Sequence, residues 1–158
     1  MPVCNQSDLK RLQNDIGLLM LRLSLGILML FHGISKISGG IDDIKLDLID
    51  QGLPGVMAYG VHLGETVAPI LIIVGFLIRP AAAILAFTMI MAVYLTDGLG
   101  GFALNEHGGI EIELNLLYMF GAFTLCFTGP GRLSLSQLFY RNKKSQVNTH
   151  EKELASSS

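Results

Sequence analysis

The chain has no tryptophan, only two cysteines and few charges: 15% of its 158 residues are Asp, Glu, Lys or Arg. Soluble domains carry roughly 25% charged residues, so this sequence lacks the polar surface that would keep a domain of its length in water. The formal net charge is −2, which leaves no basic face for a phosphate backbone and argues against a nucleic-acid partner. Cys4 and Cys126 form no C-x-x-C, and no Cys/His spacing matches a zinc or haem-attachment motif. That weighs against the dithiol oxidoreductases of membranes, which need paired thiols, and no metal site is expected. The missing Trp is unusual for a chain in a bilayer, where aromatic belts normally use it. What is abundant is apolar mass, with 51% hydrophobic residues and a mean hydropathy of +0.52. The class this implies is an integral membrane protein, with the lipid bilayer as its first partner.

Four apolar runs are long enough, or nearly so, to cross a bilayer, which takes about 20 residues at 1.5 Å rise each. They cover residues 16–37, 56–78, 80–96 and 110–128. The first is too long for a signal-peptide h-region and no A-x-A site closes it, so it reads as an uncleaved helix. Residues 1–15 are polar, and 38–55 form a Gly- and Asp-rich loop in which 41–51 alternates apolar and acidic residues as a short surface helix would. Arg79-Pro80 predicts a tight corner with Pro at the first helical position. A Gly-rich turn follows over 97–109, Gly129-Pro130-Gly131 ends the fourth run, and 133–140 reads as a short interfacial helix before the polar tail 141–158. The expected fold is all-α, an integral membrane four-helix bundle spanning 16–140. Gly26 and Gly33, two turns apart, and Gly60-x-x-x-Gly64 suggest close helix packing, within the bundle or in a homo-oligomer.

Basic residues set the orientation. Lys10, Arg11 and Arg22 precede or open the first span, Arg79 lies between the second and third, and Arg132, Arg141, Lys143 and Lys144 follow the fourth. An even number of spans puts all of these on one face. The opposite loops hold only Lys45, with Lys36 at a helix end. By the positive-inside rule both termini face the cytoplasm.

Ionisable groups inside a bilayer are costly and are functional candidates by default. This topology carries His32 and Lys36 to the outer end of span one. His62 falls near the outer surface on span two, with Glu65 roughly 13–15 Å along that helix. Glu111 and Glu113 stand at the outer edge of span four, with His107 just before them. His32/Lys36 and His62/Glu65 are spaced four and three apart, so each pair shares a helical face. The expectation is an outward-facing polar pocket in which Lys36, His62 and Glu113 bind a ligand while Glu65 and His32 exchange protons. A quinone head group suits it, because its carbonyl oxygens accept bonds from Lys or His. The competing reading is structural: Lys36 pairs with Glu65 or Glu113 and locks the bundle. Haem held between His32 and His62 is disfavoured, since nothing in the spacing requires it. Arg22 and Arg79 lie toward the other face, where snorkelling accounts for them.

Three segments taken together resemble the DoxX family of small membrane proteins. LRLSLGILMLFHGISKI is similar to the family's first-helix pattern ending H-G-x-x-K. GLPGVMAYGVHLGETVAPILIIVGFLIRPAA carries a match to its E…G-x-x-x-R signature, and GGIEIELNLLYMFGAFTLCFTGPGRLSLSQLF matches its glutamate-led fourth helix and G-P-G-R-x-S turn. The resemblance covers residues 16–139 and carries the family pattern onto Arg22, Gly26, His32, Gly33, Lys36, Glu65, Arg79, Glu113, Asn115, Gly129, Gly131, Arg132 and Ser134. Position 136 is Ser where the family often has Asp, and His62 is not a fixed family position. The resemblance implies a four-helix bundle in a bacterial inner membrane. Some members resemble a membrane subunit of thiosulfate:quinone oxidoreductase, and many others are called oxidoreductases by similarity.

Three functions compete. The first is the membrane subunit of a quinone-linked oxidoreductase, which needs a redox partner protein because the chain has no C-x-x-C and no Gly-rich dinucleotide fingerprint. The second is a non-enzymatic scaffold or assembly factor, and the third a carrier of a small solute or protons.

Overall fold

The computed structural model describes residues 6–96, 102–104, 108–137 and 139–140. Among these the chain is helical, with no strand beyond one isolated bridge between Leu104 and Ile110. Five elements organise it: α1 (Gln6–Gly39), α2 (Asp42–Asp50), α3 (Gly55–Val74), α4 (Ile78–Thr96) and α5 (Glu113–Thr128).

α1 begins ten residues before the apolar run does. Residues 6–15 contain no helix breaker, and Asp8 sits in the first turn, where the helix dipole favours an acid. Farther along, Arg22, Leu25, Gly26, Met29 and Gly33 are buried, a spacing of three and four that makes one face. Gly40, with φ of 88°, stops the helix, its N–H bonding to the Lys36 carbonyl at 3.0 Å.

α3 ends at Val74 and not at Ile78. Gly75 takes a left-handed φ of 81°, and its N–H and that of Phe76 both bond to the Leu71 carbonyl. The corner therefore lies at residues 75–77, with Leu77 also at positive φ, rather than at Arg79-Pro80. Pro80 falls within the first turn of α4, where no intrahelical donor is needed. α5 starts three residues later than the apolar run, because residues 110–112 are used by a turn that bonds the Glu113 N–H to the Ile110 carbonyl. The short helix expected over 41–51 is present as α2, where Lys45 donates to Asp42 Oδ1 at 2.8 Å. That hydrogen bond and the lysine's charge hold the Asp42 carboxyl below its ordinary range. The 97–109 turn lies outside the described residues except for 102–104 and 108–109, and so does the tail 141–158.

α1, α3, α4 and α5 share one apolar core, built from Leu25, Met29, Ala68, Ile72, Leu85, Met89, Tyr118, Ala122 and Leu125 among others. Ala81, Ala82 and Ala86 give α4 a small-residue face within this core, which lets helices approach closely. α2 lies back over the start of α3 through a second cluster of Ile41, Leu48 and Ala58. Three helices, α1, α3 and α4, are long and apolar enough to cross a membrane, whereas α5 has 16 residues and spans about 24 Å. Only 28–33% of the residues in the three apolar windows are buried inside the protein. Phe31, Leu117, Phe120 and Phe127 point outward, at 61–80% exposure. An apolar outer face on this scale belongs in lipid, not water.

Candidate functional site

The site starts from a proline. Pro69 has no N–H to give the carbonyl four residues earlier, and its ring crowds that carbonyl. The residue four earlier is Glu65, and the backbone answers with one π turn over Leu63–Val67 inside α3. Such turns recur at functional sites because they re-aim a side chain without ending the helix. Across from it, α1 presents Gly33, where an added Cβ would overlap the Glu65 carbonyl oxygen and Thr66 Oγ1. The two backbones thus meet at the residue that carries the carboxylate.

One turn beyond Gly33, Lys36 reaches across and donates to Glu65 Oε1 at 2.6 Å. Glu65 is buried, with 4% of its side chain exposed, and Lys36 is one-third exposed. The other carboxylate oxygen, Oε2, is buried without a hydrogen-bond partner, as are His62 Nδ1 and Thr66 Oγ1 on the same turn of helix.

Lys36 and Glu65 form part of the wall of a cavity of about 470 Å³ between the end of α1, α2, α3 and α4. Ligand pockets for small molecules fall in the range of about 300–1,000 Å³. The rest of the lining is mostly apolar: Leu48 from α2, Val61 and Leu63 from α3, and Ile84, Phe87, Met91 and Leu95 from α4. Two further polar groups complete it, Thr88 and Asp47. The chamber is thus an apolar cleft holding one ion pair, where a polar pocket was expected.

The other residues singled out in the sequence are elsewhere. His32 is exposed and packs edge-on against Tyr118 of α5, ring centroids 6.1 Å apart. His62 is half-buried one turn from Glu65 but does not line the cavity. Glu113 and Glu111 are exposed at and just before the start of α5. Neither belongs to the lining, and among the described residues Lys36 pairs with Glu65 alone. His107 lies outside the described residues. Gly26 and Gly33 both face α3, whereas the Gly60/Gly64 pair divides: Gly64 lies against Thr88 and Gly60 against open space.

Arg22 corrects the sequence reading most sharply. It does not snorkel. It is 1% exposed, with Nε donating to the Ile72 carbonyl (3.0 Å) and Nη2 to that of Ile73 (3.0 Å), while Nη1 reaches the carbonyls of Pro130 (3.0 Å) and Leu133 (2.8 Å). Two of those acceptors are orphan carbonyls at the C-terminus of α3, left free because Gly75 ends the helix. A cation there also meets the negative end of the helix dipole. Sequence reasoning missed this anchor, the part played by Asp47 and Thr88, and the π turn. Only the last had a visible signal, in a proline four residues after an intramembrane glutamate.

Comparison with known proteins follows the same elements. The sequence profile of the DoxX family matches residues 17–98, from within α1 to just past the end of α4. The chain is similar to a Bacillus subtilis (strain 168) protein named "Putative oxidoreductase CatD", with 29% identity over 82% of this chain and 92% of that one. It is similar also to "Inner membrane protein YqjF" of Escherichia coli (strain K12), at 30% identity over 86% of this chain and 99% of that one. No solved structure matches.

Proposed function

This chain belongs to the DoxX family of membrane proteins, and from that premise we propose that it is the membrane subunit of a quinone-linked oxidoreductase system whose Lys36–Glu65 pair holds a quinone head group. The observation that carries the reading is one ion pair set in a mostly apolar cavity of suitable size, with one of its carboxylate oxygens lacking a partner. That orphaned, buried oxygen is an acceptor that a ring hydroxyl, present when the ligand is reduced, satisfies. A bound quinone supplies two-electron, two-proton redox chemistry.

The residues of this chain do the rest. Lys36 Nζ has three donors and gives one to Glu65, which leaves donors for a ring oxygen. Glu65 Oε2 accepts a hydroxyl or takes up a proton. The apolar walls from α3 and α4 lie along the ring and its apolar substituents. Electrons come from a partner protein, because the sequence has no C-x-x-C and no dinucleotide fingerprint. The names of the two relatives, one an oxidoreductase and one an inner membrane protein, support this reading.

The chain crosses a bacterial inner membrane four times, α5 included, with both termini in the cytoplasm. Support comes from the grouping of charges. Arg79 approaches Gly129, and the Arg132 N–H bonds Asp15 of α1, so these basic residues gather at one end. The acidic α2 lies at the other, beside Lys36.

The test is solvent extraction of gently purified protein, followed by mass spectrometry for quinone, on wild type and Glu65→Gln in parallel once both are known to be folded. Stoichiometric quinone, counted in both redox states, is expected in wild type, with a clearly lower but measurable yield in the variant. Quinone in neither would leave the 2.6 Å pair as a fastener between α1 and α3 and favour a scaffold.

A further inference from the structure

The polar groups that line the cavity are unequal in kind. Glu65 Oε2 is a buried acceptor with no donor. Its neighbours on the same turn do not supply one, since His62 Nδ1 and Thr66 Oγ1 are themselves without partners. The Thr88 hydroxyl, on the facing wall and packed against Gly64, spends its proton on the Ile84 carbonyl at 2.9 Å, so it can only accept. Asp47 adds a carboxylate from exposed α2. Against these acceptors stands one donor group, the Lys36 ammonium.

We propose that this cavity selects its ligand by redox state, binding the reduced, hydroxyl-bearing hydroquinone more tightly than the oxidised quinone. The proposal rests on the quinone reading above. A quinone ring brings two carbonyl acceptors into a wall that already has acceptors in excess. Lys36 serves one of them, the other faces carboxylate or hydroxyl lone pairs, and Glu65 Oε2 stays unsatisfied. A hydroquinone brings two O–H donors, one for Glu65 Oε2 and a second for Thr88 or Asp47, while its own oxygen still accepts from Lys36. A buried acceptor left without a donor is expensive, most of all when it carries charge. A site built to bond a hydroxyl rejects the analogue that lacks it. The expected preference is about tenfold or more. By linkage, a site that prefers the reduced form raises the midpoint potential of the couple while it is bound.

The experiment measures equilibrium binding, not turnover. Full-length protein in lipid nanodiscs is titrated without oxygen with decylubiquinol and, separately, with decylubiquinone, on wild type, Glu65→Gln and Thr88→Val. Wild type should hold the quinol at least about tenfold tighter. In Glu65→Gln the ratio should fall to within about threefold, because the amide offers a donor of its own. Thr88→Val, which leaves the ion pair intact, should narrow the ratio partially. Equal affinities in wild type, or tighter quinone binding, would overturn the selectivity and leave the quinone site standing. An undiminished ratio in folded Glu65→Gln would overturn the role given to Glu65. If neither form binds wild type, the proposed function falls and the selectivity with it. The wild-type ratio decides the matter even where a variant fails to fold.

Discussion

A guanidinium inside an apolar bundle is costly unless its donors are satisfied, and Arg22 meets that demand with four main-chain carbonyls. It therefore ties α1 to the end of α3 and to the loop after α5. Lysine places one tetrahedral ammonium where a planar fork is required. Arg22→Lys should lower stability by about 3 kcal/mol, against less than about 1 kcal/mol for Arg79→Lys. Denaturant titration in detergent micelles reads the difference, and equal losses would show that the four-carbonyl anchor carries no special weight. The Lys36–Glu65 pair is of another kind. One partner is a third exposed, and an ion pair with a buried member offsets little more than its own desolvation. What it does provide is placement, a donor and an acceptor side by side in a mostly apolar chamber.

α3 is the element that makes the chamber. It is 3-10 at its start, α, then π, then α again, and the π turn follows from Pro69, which withholds a donor from the Glu65 carbonyl. α1 packs against that irregularity through Gly33, whose missing side chain leaves room for the Glu65 main chain. Gly33→Ala should therefore push α1 from α3 and cost about 1–3 kcal/mol. Gly17, on the same helix, has nothing within 4 Å of an added Cβ. There Gly17→Ala removes only the backbone-entropy cost and should stabilise by about 0.5–1 kcal/mol. The pair of measurements, thermal unfolding of both variants, separates helix propensity from contact. Similar shifts in both would contradict the close approach. α2, set between Gly40 and Gly52 at positive φ, closes the cavity from the side with Leu48 and Asp47.

At the scale of the whole molecule the arrangement is an apolar exterior, an apolar shared core, and charges sorted to the two ends. Basic residues cluster with the α3–α4 corner and the loop after α5, acidic ones with α2 and the start of α5. On the proposed four-crossing topology, the positive-inside rule puts the basic end at the cytoplasm. Alkaline phosphatase fused after Lys144 should be inactive, and the same enzyme inserted after Gly52 should be active. An active fusion after Lys144 would reverse or break the four-crossing topology. The cavity would then open from a different side of the membrane, although its lining would be unchanged.

Composition and the long apolar runs were enough to determine a helical membrane protein, since a chain with so little charge cannot cover itself in polar surface and must pair its backbone groups internally in lipid. The order of the spans also brought Lys36 and Glu65 to the same half of the bundle, and the motif order carried the family. Helix ends escaped it at Gly75 and at residues 110–112, because a left-handed glycine and a turn interrupt a hydrophobic run without changing its hydropathy. Tertiary packing decided the rest. Whether Arg22 snorkels or anchors depends on the free carbonyls that other segments bring to it. Which ionisable residues line the cavity depends on the rotation of each helix, and rotation is set by contacts such as Gly33 on Glu65. For that reason His32, His62 and Glu113, equally plausible by depth, stand outside the chamber that Lys36 and Glu65 share with Thr88 and Asp47.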